Sequence, residues 1–285
     1  MKPFRIALAL ALATAVYAQF GGLGKLKERI EQKKQKAKPV TDRAQKAADT
    51  FTPWSAQEEE AIGEASAAKM VAIFGVVDDP KLTRYVNLVG QAVAQFVERQ
   101  LPYRFAVLNS DIVGAYALPG GFIFITKGAL SGMANEAQLA GALGHEITHC
   151  SERHLEKEIR TKKTSAMAVE EAKTATKSSA LISAKGDAYL NDMFHTSLSR
   201  DKEDAADEHG SELAVKAGYD PAGLLEFLTA MKAANEKPEN QRLFGQLLST
   251  HPSFDTRIAH LQAFAGRAKG KGQTLEARFR AAVFR

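Results

Sequence analysis

The sequence predicts an α+β fold that is mainly α-helical, with a small β-sheet beside a helix that carries paired histidines. Apolar residues recur at helical spacing along most of the 285 residues. β-prone sequence is confined to a short region between residues 104 and 126. The helical pattern that follows contains the stretch HEITH, whose two histidines fall on one side of a helix. Together these observations predict a sheet next to a candidate site on a helix.

The first eighteen residues have the three parts of a secretory signal peptide. Lys2 and Arg5 form a basic start, and an apolar run extends from Ile6 to Val16. Val16-Tyr17-Ala18 then fits the small-x-small pattern of a cleavage site. The run is shorter than the roughly 20 residues that span a bilayer, so residues 1–18 are predicted to be removed, with an uncleaved anchor as the alternative. The mature chain is therefore expected in the periplasm or secreted, without a transmembrane segment.

A basic segment separates the signal peptide from the folded domain. Between residues 25 and 46, Lys and Arg outnumber Asp and Glu so strongly that this segment alone exceeds the net charge of +5. We interpret residues 19–54 as a basic linker or solvated helix, with binding to an anionic membrane surface as the alternative. The remaining chain is slightly acidic, so no nucleic-acid partner is expected. Cys150 is the single cysteine, which excludes an internal disulfide.

Residues 55–285 are predicted to form the domain, which begins with two helices. Ser55 and Glu58 have the spacing of a capping box and start a helix that runs to about Phe74. Apolar residues at helical spacing predict a second helix from Asp79 to about Gln100.

Three strands are predicted next. Arg104 to Leu108 has β character, a short strand follows from Gly114 to Leu118, and Gly121 to Thr126 is strongly β-prone. Pro119-Gly120-Gly121 has the composition of a turn between the last two strands.

The histidine pair lies in a helix predicted from Asn135, a plausible N-cap, to about Arg160. His145 and His149 are four residues apart, so their rings lie on one face and can share one metal ion. Glu146 is rotated by about 100° from His145, beside the metal, which suits a base that acts on water. A chance match on an amphipathic helix is the alternative. A zinc ion needs a third protein ligand, which this helix does not supply.

The rest of the chain is predicted to be helical. Residues 161–190 are rich in Lys, Ser, Thr and Ala and are expected to form a helical or mobile excursion near the mouth of the site. Further helices are predicted from Ser199 to Ala217, from Pro221 to Ala234 and from Ser253 to Gly266.

The helix after this excursion contains a candidate third ligand. Glu203 and Asp207 are again four residues apart, and Glu203 could complete a His, His, Glu site with a fourth position open. Asp207 could accept a hydrogen bond from the far nitrogen of a zinc histidine. Ala206 and Gly210 are small and would allow close approach to the histidine helix. An exposed acidic face is the alternative.

Six stretches, in order along the chain, carry a resemblance to a known family. They are QEEEAIG, GAYALPGGFIFITKGAL, NEAQLAGALGHEITHCSERH, SRDKEDAADEHG, AGYDPAGL and STHPSFDTRI. Together they resemble the gluzincin-type zinc peptidases that include HtpX, the mitochondrial Oma peptidase and the CAAX prenyl protease, known as metallopeptidase family forty-eight. The resemblance covers about residues 55–265. It implies a gluzincin-type fold, one zinc ion per chain and hydrolysis of peptide bonds.

The resemblance assigns roles to five residues of the candidate site. It implies that His145, His149 and Glu203 are the zinc ligands and that Asp207 orients one of the histidines. It also implies that Glu146 is the general base, which takes a proton from water and later passes it to the leaving amine.

A substrate strand is also implied by the resemblance. An extended peptide is expected to pair with an exposed strand edge, and an ordinary core hairpin is the alternative. Gly114 departs from the family, in which relatives often carry Asn, and this is expected to loosen the start of the strand. The implied substrate-binding residues are Gly114, Ala115, Tyr116, Ala117 and Leu118.

His251 is expected to lie near the zinc by the same resemblance. It would stabilise the oxyanion, or it would swing onto the metal and hold the enzyme latent. A histidine that caps the following helix is the alternative. The other histidines, His154, His195, His209 and His260, are interpreted as surface or packing residues.

Two classes of function follow from these expectations. The first is a zinc endopeptidase for misfolded or unassembled proteins of the cell envelope. The second is a periplasmic chaperone or outer-membrane assembly factor with a latent protease site, for which the outer-membrane assembly machinery is a candidate partner. The membrane-spanning helices of HtpX and the prenyl protease are not found in this sequence, so the likeness is closer to soluble, exported bacterial members of the family.

Overall fold

A computed structural model describes residues 53–159, 179–251, 254–268 and 272–284. The predicted signal peptide, nearly all of the predicted linker and the first part of the predicted excursion at 161–190 lie outside the described residues. The second part of that excursion forms a helix, Ser179–His195. In the part of the chain that the structure describes, no helix has the length and apolar character to span a membrane.

Helices make up most of the described chain, and a three-stranded sheet lies between the second and third of them, as predicted. The helices are α1 (Ala56–Phe74), α2 (Pro80–Ala94), α3 (Lys127–Ser131), α4 (Glu136–Ser151), α5 (Ser179–His195), α6 (Arg200–Lys216), α7 (Gly223–Asn235), α8 (Gln241–Thr250), α9 (Phe254–Arg267) and α10 (Glu276–Val283). The strands are β1 (Arg104–Leu108), β2 (Ala115–Leu118) and β3 (Phe122–Thr126).

The sheet has the order β1-β3-β2, so β2 is an edge strand. β3 pairs parallel with β1 and antiparallel with β2. A 3₁₀ turn, Pro119–Gly121, joins β2 to β3. Gly120 and Gly121 in this turn have φ values of 72° and 89°, which glycine adopts without the strain that a side chain would add.

Alternating side chains of the central strand build two hydrophobic clusters, one on each face of the sheet. Ile123 and Ile125 belong to the larger cluster, which includes apolar residues of α2, α4, α6 and α7. Phe122 and Phe124 point to the opposite face and pack with residues of α1 and α5. Because β3 is covered on both faces, each of its five residues is buried.

Helix α4, which carries the histidine pair, is buried from Glu136 to Cys150. Its closest partner is α6, and glycines allow the approach. A Cβ atom on Gly144 would lie 2.3 Å from the carbonyl oxygen of Gly210, and one on Gly210 would lie 2.5 Å from the amide nitrogen of His145. The sequence prediction that small residues bring these helices together is confirmed, and this contact brings the carboxylates of α6 to the histidines.

Two predicted helix ends are wrong. The second helix ends at Ala94, six residues before Gln100, and the chain then turns towards β1. Helix α4 ends at Ser151, where a continuous helix to Arg160 was predicted. Arg153 has a φ of 56°, a left-handed conformation that breaks the helix. A helical segment then begins again at residue 154.

The buried start of α4 is anchored by groups from distant parts of the chain. The Glu136 carboxylate accepts hydrogen bonds from the hydroxyls of Tyr85 and Tyr219, each at 2.7 Å. The guanidinium of Arg278 in α10 also donates to it. Glu136 therefore joins α2, α4 and α10, and its side chain is fully buried.

Candidate metal centre and active site

Helix α4 places His145 and His149 on one face, as their spacing predicts. The side chain of Asn135 caps the helix by accepting a hydrogen bond from the amide of Gln138. The Nε2 atoms of the two histidines lie 2.9 Å apart, and both rings are buried. The two rings therefore present a pair of nitrogen atoms to a common point.

Helix α6 brings Glu203 to the same point. One carboxylate oxygen lies 3.4 Å from Nε2 of His149, and the other lies 3.9 Å from Nε2 of His145. Glu203 is only 1% exposed, which rules out the alternative of a solvated acidic face. Although burial alone would raise the pKa of Glu203, the adjacent His251 and Arg257 hold that pKa well below its ordinary value.

Asp207, one turn further along α6, contacts the opposite side of the His145 ring. Its Oδ1 atom lies 2.9 Å from Nδ1 of His145. Burial, with the neighbouring His149 and Arg257, lowers the pKa of His145 to about 3, so the ring is neutral. A neutral ring that donates its Nδ1 proton to Asp207 keeps a lone pair on Nε2. Asp207 therefore lies where it can select the tautomer that binds a metal.

Arg257 of α9 holds Asp207 in place. Its Nε and a terminal nitrogen donate to the two Asp207 oxygens at 2.8 and 2.6 Å, a bidentate pair. Another terminal nitrogen lies 3.5 Å from Glu203. Burial alone would raise the pKa of Asp207, but Arg257 and His145 together lower it. Arg257 lies within the STHPSFDTRI stretch, but no role was predicted for it from the sequence.

His251 follows α8 directly and lies beside the carboxylate of Glu203. Its Nδ1 atom is 2.9 and 3.0 Å from the two Glu203 oxygens. Its ring centre is 5.3 Å from that of His145 and 5.4 Å from that of His149. The next two residues lie outside the described part of the chain, so a helix-capping role for His251 is not tested.

Four side chains thus form a group that fits a metal ion. One ligand atom from each of His145, His149, Glu203 and His251 lies within 4.8 Å of every other. A tetrahedral zinc ion with bonds of about 2.0–2.2 Å separates its ligand atoms by about 3.3–3.6 Å. The separations of 2.9, 3.4 and 3.9 Å among the first three bracket this range. The donor set of imidazole and carboxylate also suits zinc.

Glu146 lies next to this group, where two clefts meet. Both clefts are lined by Ala115, Glu146 and His251. The first cleft extends towards apolar residues of α7 such as Leu224, and the second towards Met193 of α5. Burial raises the pKa of Glu146 above its ordinary value. A carboxylate with a raised pKa beside a metal centre is suited to accept a proton near neutral pH.

The edge strand β2 lies along these clefts. The amide of Thr126 donates to the carbonyl of Gly114, and backbone groups in an antiparallel pair point alternately towards and away from the partner. The backbone groups of Ala115 and Ala117 therefore point away from β3, towards the free edge. The hydroxyl of Tyr189 in α5 donates to the Ala117 carbonyl at 3.3 Å, which agrees with this direction.

The five residues of the predicted substrate strand are thus not equivalent. Gly114, Tyr116 and Leu118 direct their backbone groups to β3, by the same alternation. The Tyr116 side chain is buried, with its ring centre 6.4 Å from that of Phe74. Only Ala115 and Ala117 within this strand turn their backbone groups to the free edge.

Two of the histidines that were interpreted as surface or packing residues contact the candidate centre or its neighbours. His154 is buried, and its Nδ1 atom lies 2.8 Å from Nδ1 of His149. His209 is exposed, and its Nδ1 atom lies 2.7 Å from a carboxylate oxygen of Glu152. The contact of His154 with His149 accompanies the helix break at Arg153, where an unbroken helix was predicted from the sequence.

Comparison with known proteins agrees with the geometry of this centre. Residues 80–265 match peptidase family M48. The Beta-barrel assembly-enhancing protease of Yersinia pestis is 27% identical, over 75% of this chain and 45% of that protein. The protein of the same name in Escherichia coli (strain K12) is 24% identical, over 71% of this chain and 42% of that protein. The mitochondrial metalloendopeptidase OMA1 of Schizosaccharomyces pombe is 29% identical, over 67% and 56%.

The chain spans less than half the length of the two bacterial relatives. The match to the family nevertheless covers well over half of this chain and includes every residue of the candidate centre. The mainly helical α+β fold with a small mixed sheet agrees with it. The chain belongs to peptidase family M48.

Proposed function

We propose that this chain is a zinc-dependent endopeptidase that hydrolyses misfolded or unassembled proteins of the cell envelope. The observation that carries the proposal is the group of three donors, His145, His149 and Glu203, with the buried carboxylate of Glu146 beside it. Two histidines and one glutamate are a donor set typical of catalytic zinc, which keeps one position open. One zinc ion per chain is expected.

The chemistry is divided between the metal and Glu146. When bound, zinc would act as a Lewis acid that polarises the scissile carbonyl and makes water more acidic. Glu146 would accept a proton from the attacking water and transfer it to the amine that leaves. Asp207 and Arg257 would keep the His145 ring oriented, since the Arg257 pair fixes both oxygens of Asp207.

The substrate is proposed to bind in extended form along the edge of β2. Ala115 and Ala117 would exchange backbone hydrogen bonds with it, because their backbone groups point to the free edge. Tyr116 and Leu118 would support the strand from within the core, and Gly114 would begin it. The Tyr189 hydroxyl would have to leave the Ala117 carbonyl, since a pairing strand would use that acceptor.

His251 is proposed to hold the enzyme latent in the conformation described here. Its position against Glu203, within reach of the other ligand atoms, supports its use as a fourth donor. Movement of His251 away from the centre would free the position that the substrate needs. The same side chain could then stabilise the oxyanion from the side of the clefts.

The cellular role is proposed from the relatives and from the sequence of the N-terminus. Two relatives are named as β-barrel assembly-enhancing proteases, which supports a role near outer-membrane assembly. Residues 1–18 would be a cleaved signal peptide, residues 19–54 a basic linker and residues 55–285 the peptidase domain, located in the periplasm or secreted. The position of His251 against Glu203 also supports the second candidate, a chaperone or assembly factor whose protease is mostly inactive.

Hydrolysis of an unfolded protein by the purified chain 19–285 tests the proposal. Cleavage of casein should stop when a chelator removes the metal and should return on addition of one equivalent of zinc. Cleavage that is unaffected by complete metal removal would contradict a zinc peptidase. Prevention of aggregation without cleavage, in the presence of zinc, would favour the chaperone.

Strand pairing is tested separately with a peptide substrate that carries one N-methyl group at each successive position. Methylation removes a hydrogen-bond donor, so KM should rise at alternate positions only, in the period of two that a β-strand imposes. A uniform effect, or an effect at one position alone, would contradict pairing with Ala115 and Ala117.

A further inference from the structure

We propose that His154 is a positioning residue that keeps the proton of His149 on Nδ1, so that Nε2 of His149 is free to bind the metal. The inference rests on the proposed zinc centre and adds to it a residue that holds the second ligand histidine. Its evidence is the geometry of the turn that ends α4 and the hydrogen bonds beyond it.

The turn after α4 brings His154 back beneath His149. Helix α4 ends at Ser151, and the left-handed conformation of Arg153 interrupts the helix before residue 154. The Arg153 guanidinium is held by the buried carboxylate of Glu59, at 2.5 Å. As a result, the rings of His149 and His154 lie 5.0 Å apart at an angle of 74°, with their Nδ1 atoms at 2.8 Å.

The hydrogen bonds from His154 continue to the surface. Nε2 of His154 lies 3.0 Å from one oxygen of Glu152, and the other oxygen of Glu152 lies 2.7 Å from Nδ1 of His209. His154 is 3% exposed, whereas the side chains of Glu152 and His209 are 35% and 53% exposed. A chain of three contacts thus joins the buried ring of His149 to solvent.

Metal binding determines which ring nitrogen carries the proton in His149 and in His154. A metal on Nε2 of His149 leaves that ring with its proton on Nδ1, which must be donated to an acceptor. The nearest acceptor is Nδ1 of His154, so the proton of His154 must be on Nε2. There it faces the carboxylate of Glu152, which can only accept when it is ionised. In the opposite tautomer, Nε2 of His154 would carry no proton, and its lone pair would face the Glu152 carboxylate.

The two ligand histidines are therefore held by different means. His145 donates directly to the carboxylate of Asp207, which Arg257 fixes in the buried interior. His149 donates to a neutral imidazole, and the carboxylate that orients this imidazole is partly exposed. Partners of this kind typically change metal affinity by about 10- to 100-fold when they are removed. If His154 served only to fill space, it would not need to carry its proton on Nε2 and leave Nδ1 as an acceptor.

Zinc affinity provides the first test. His154→Leu removes the acceptor, whereas His154→Asn restores an oxygen at the position of Nδ1. We expect zinc affinity, measured by competition with a chromophoric chelator, to fall by about 10- to 100-fold in His154→Leu. His154→Asn should remain within about 3-fold of the wild type. His195→Leu, an exposed histidine whose Nδ1 contacts the Asn191 carbonyl, is the matched control and should match the wild type.

The outcomes separate the two proposals. If the wild type does not bind zinc, the proposed function fails. If the wild type binds zinc and His154→Leu binds it equally well, the role of His154 is refuted. Equal losses in His154→Leu and His154→Asn would refute the role as an acceptor.

The wild-type protein offers a test that does not depend on the folding of a variant. Long-range ¹H–¹⁵N correlation spectra of the zinc-loaded protein report which ring nitrogen carries the proton in each histidine. We expect a proton on Nδ1 of His149 and on Nε2 of His154. A proton on Nδ1 of His154 would overturn the inference.

Discussion

Replacing Gly210 by alanine should push α6 away from α4 and so disturb the metal centre from a distance. A Cβ atom at this position would lie 2.5 Å from the amide nitrogen of His145 and 2.6 Å from the carbonyl carbon of Gly144. Both are backbone atoms of a buried helix, which cannot rotate away. Restoring an ordinary contact of 3.4 Å requires a displacement of about 0.9 Å between the helices.

The effect on stability can be estimated against a matched control. Alanine gains about 1 kcal/mol over glycine in a helix interior, and overpacking of a well-packed site costs about 1–3 kcal/mol. Gly266 lies in α9, and a Cβ atom there would meet nothing within 4 Å. Because Gly266 lies one residue before the end of α9, Gly266→Ala should raise the free energy of unfolding by at most about 1 kcal/mol. Gly210→Ala should be less stable than Gly266→Ala by about 1–3 kcal/mol, measured by urea denaturation without metal.

The effect on metal binding follows from the position of Glu203, seven residues or about two turns before Gly210 on α6. Zinc–oxygen bonds of about 2.0–2.2 Å tolerate errors of about 0.2 Å, so a displacement approaching 0.9 Å exceeds the tolerance. Zinc affinity should fall by at least about 10-fold, while Gly266→Ala keeps the wild-type value. Wild-type affinity and stability in Gly210→Ala would refute the view that this close contact positions Glu203.

Three further predictions concern groups around the centre. Arg257→Met should lower the free energy of unfolding by about 3–5 kcal/mol in equilibrium denaturation, because it leaves the buried carboxylate of Asp207 without its cation. Burial alone would raise the pKa of Glu59, but Arg99 and Arg153 lower it below 4.5. The ionised Glu59 carboxylate should therefore stabilise the fold above about pH 4.5, and this stabilisation should be lost as the pH falls. Glu59→Gln should remove this part of the acid dependence of the free energy of unfolding. His251→Ala should increase the rate of casein cleavage if this residue holds the enzyme latent, and should decrease it by roughly 10- to 1000-fold if it chiefly stabilises the oxyanion.

Each of these predictions has a result that would contradict it. Unchanged stability of Arg257→Met would mean that Asp207 is not held by that pair. Parallel stability curves for the wild type and Glu59→Gln between pH 3 and pH 6 would show that the Glu59 network does not contribute as described. A rate for His251→Ala equal to that of the wild type would exclude both roles of this residue.

The parts of the site that arise from helix periodicity could be predicted from the sequence. A spacing of four residues places two side chains on one face of a helix, independently of the tertiary structure. This spacing relates His145 to His149 and Glu203 to Asp207. Small residues such as Gly210 then indicate which faces can approach. These local rules are sufficient to predict a metal centre between two helices.

The parts that depend on a change of direction or on contacts between distant segments could not be predicted. His154 reaches His149 because Arg153 adopts a left-handed conformation, which no periodic pattern in the sequence predicts. Arg257 lies 50 residues after Asp207, so its role depends on how α9 packs against α6. The short helix Glu276–Val283 was not predicted either, and its contact with Glu136 arises from tertiary structure.

The measurement that tests the account most directly is the hydrolysis rate of Glu146→Gln. Glutamine has nearly the shape of glutamate but cannot accept the proton of water, and residue 146 is not among the proposed ligands. Zinc affinity should therefore match the wild type, while casein hydrolysis at equal zinc occupancy should fall by about 10²- to 10⁴-fold. Cleavage by Glu146→Gln at the wild-type rate would contradict the proposed mechanism.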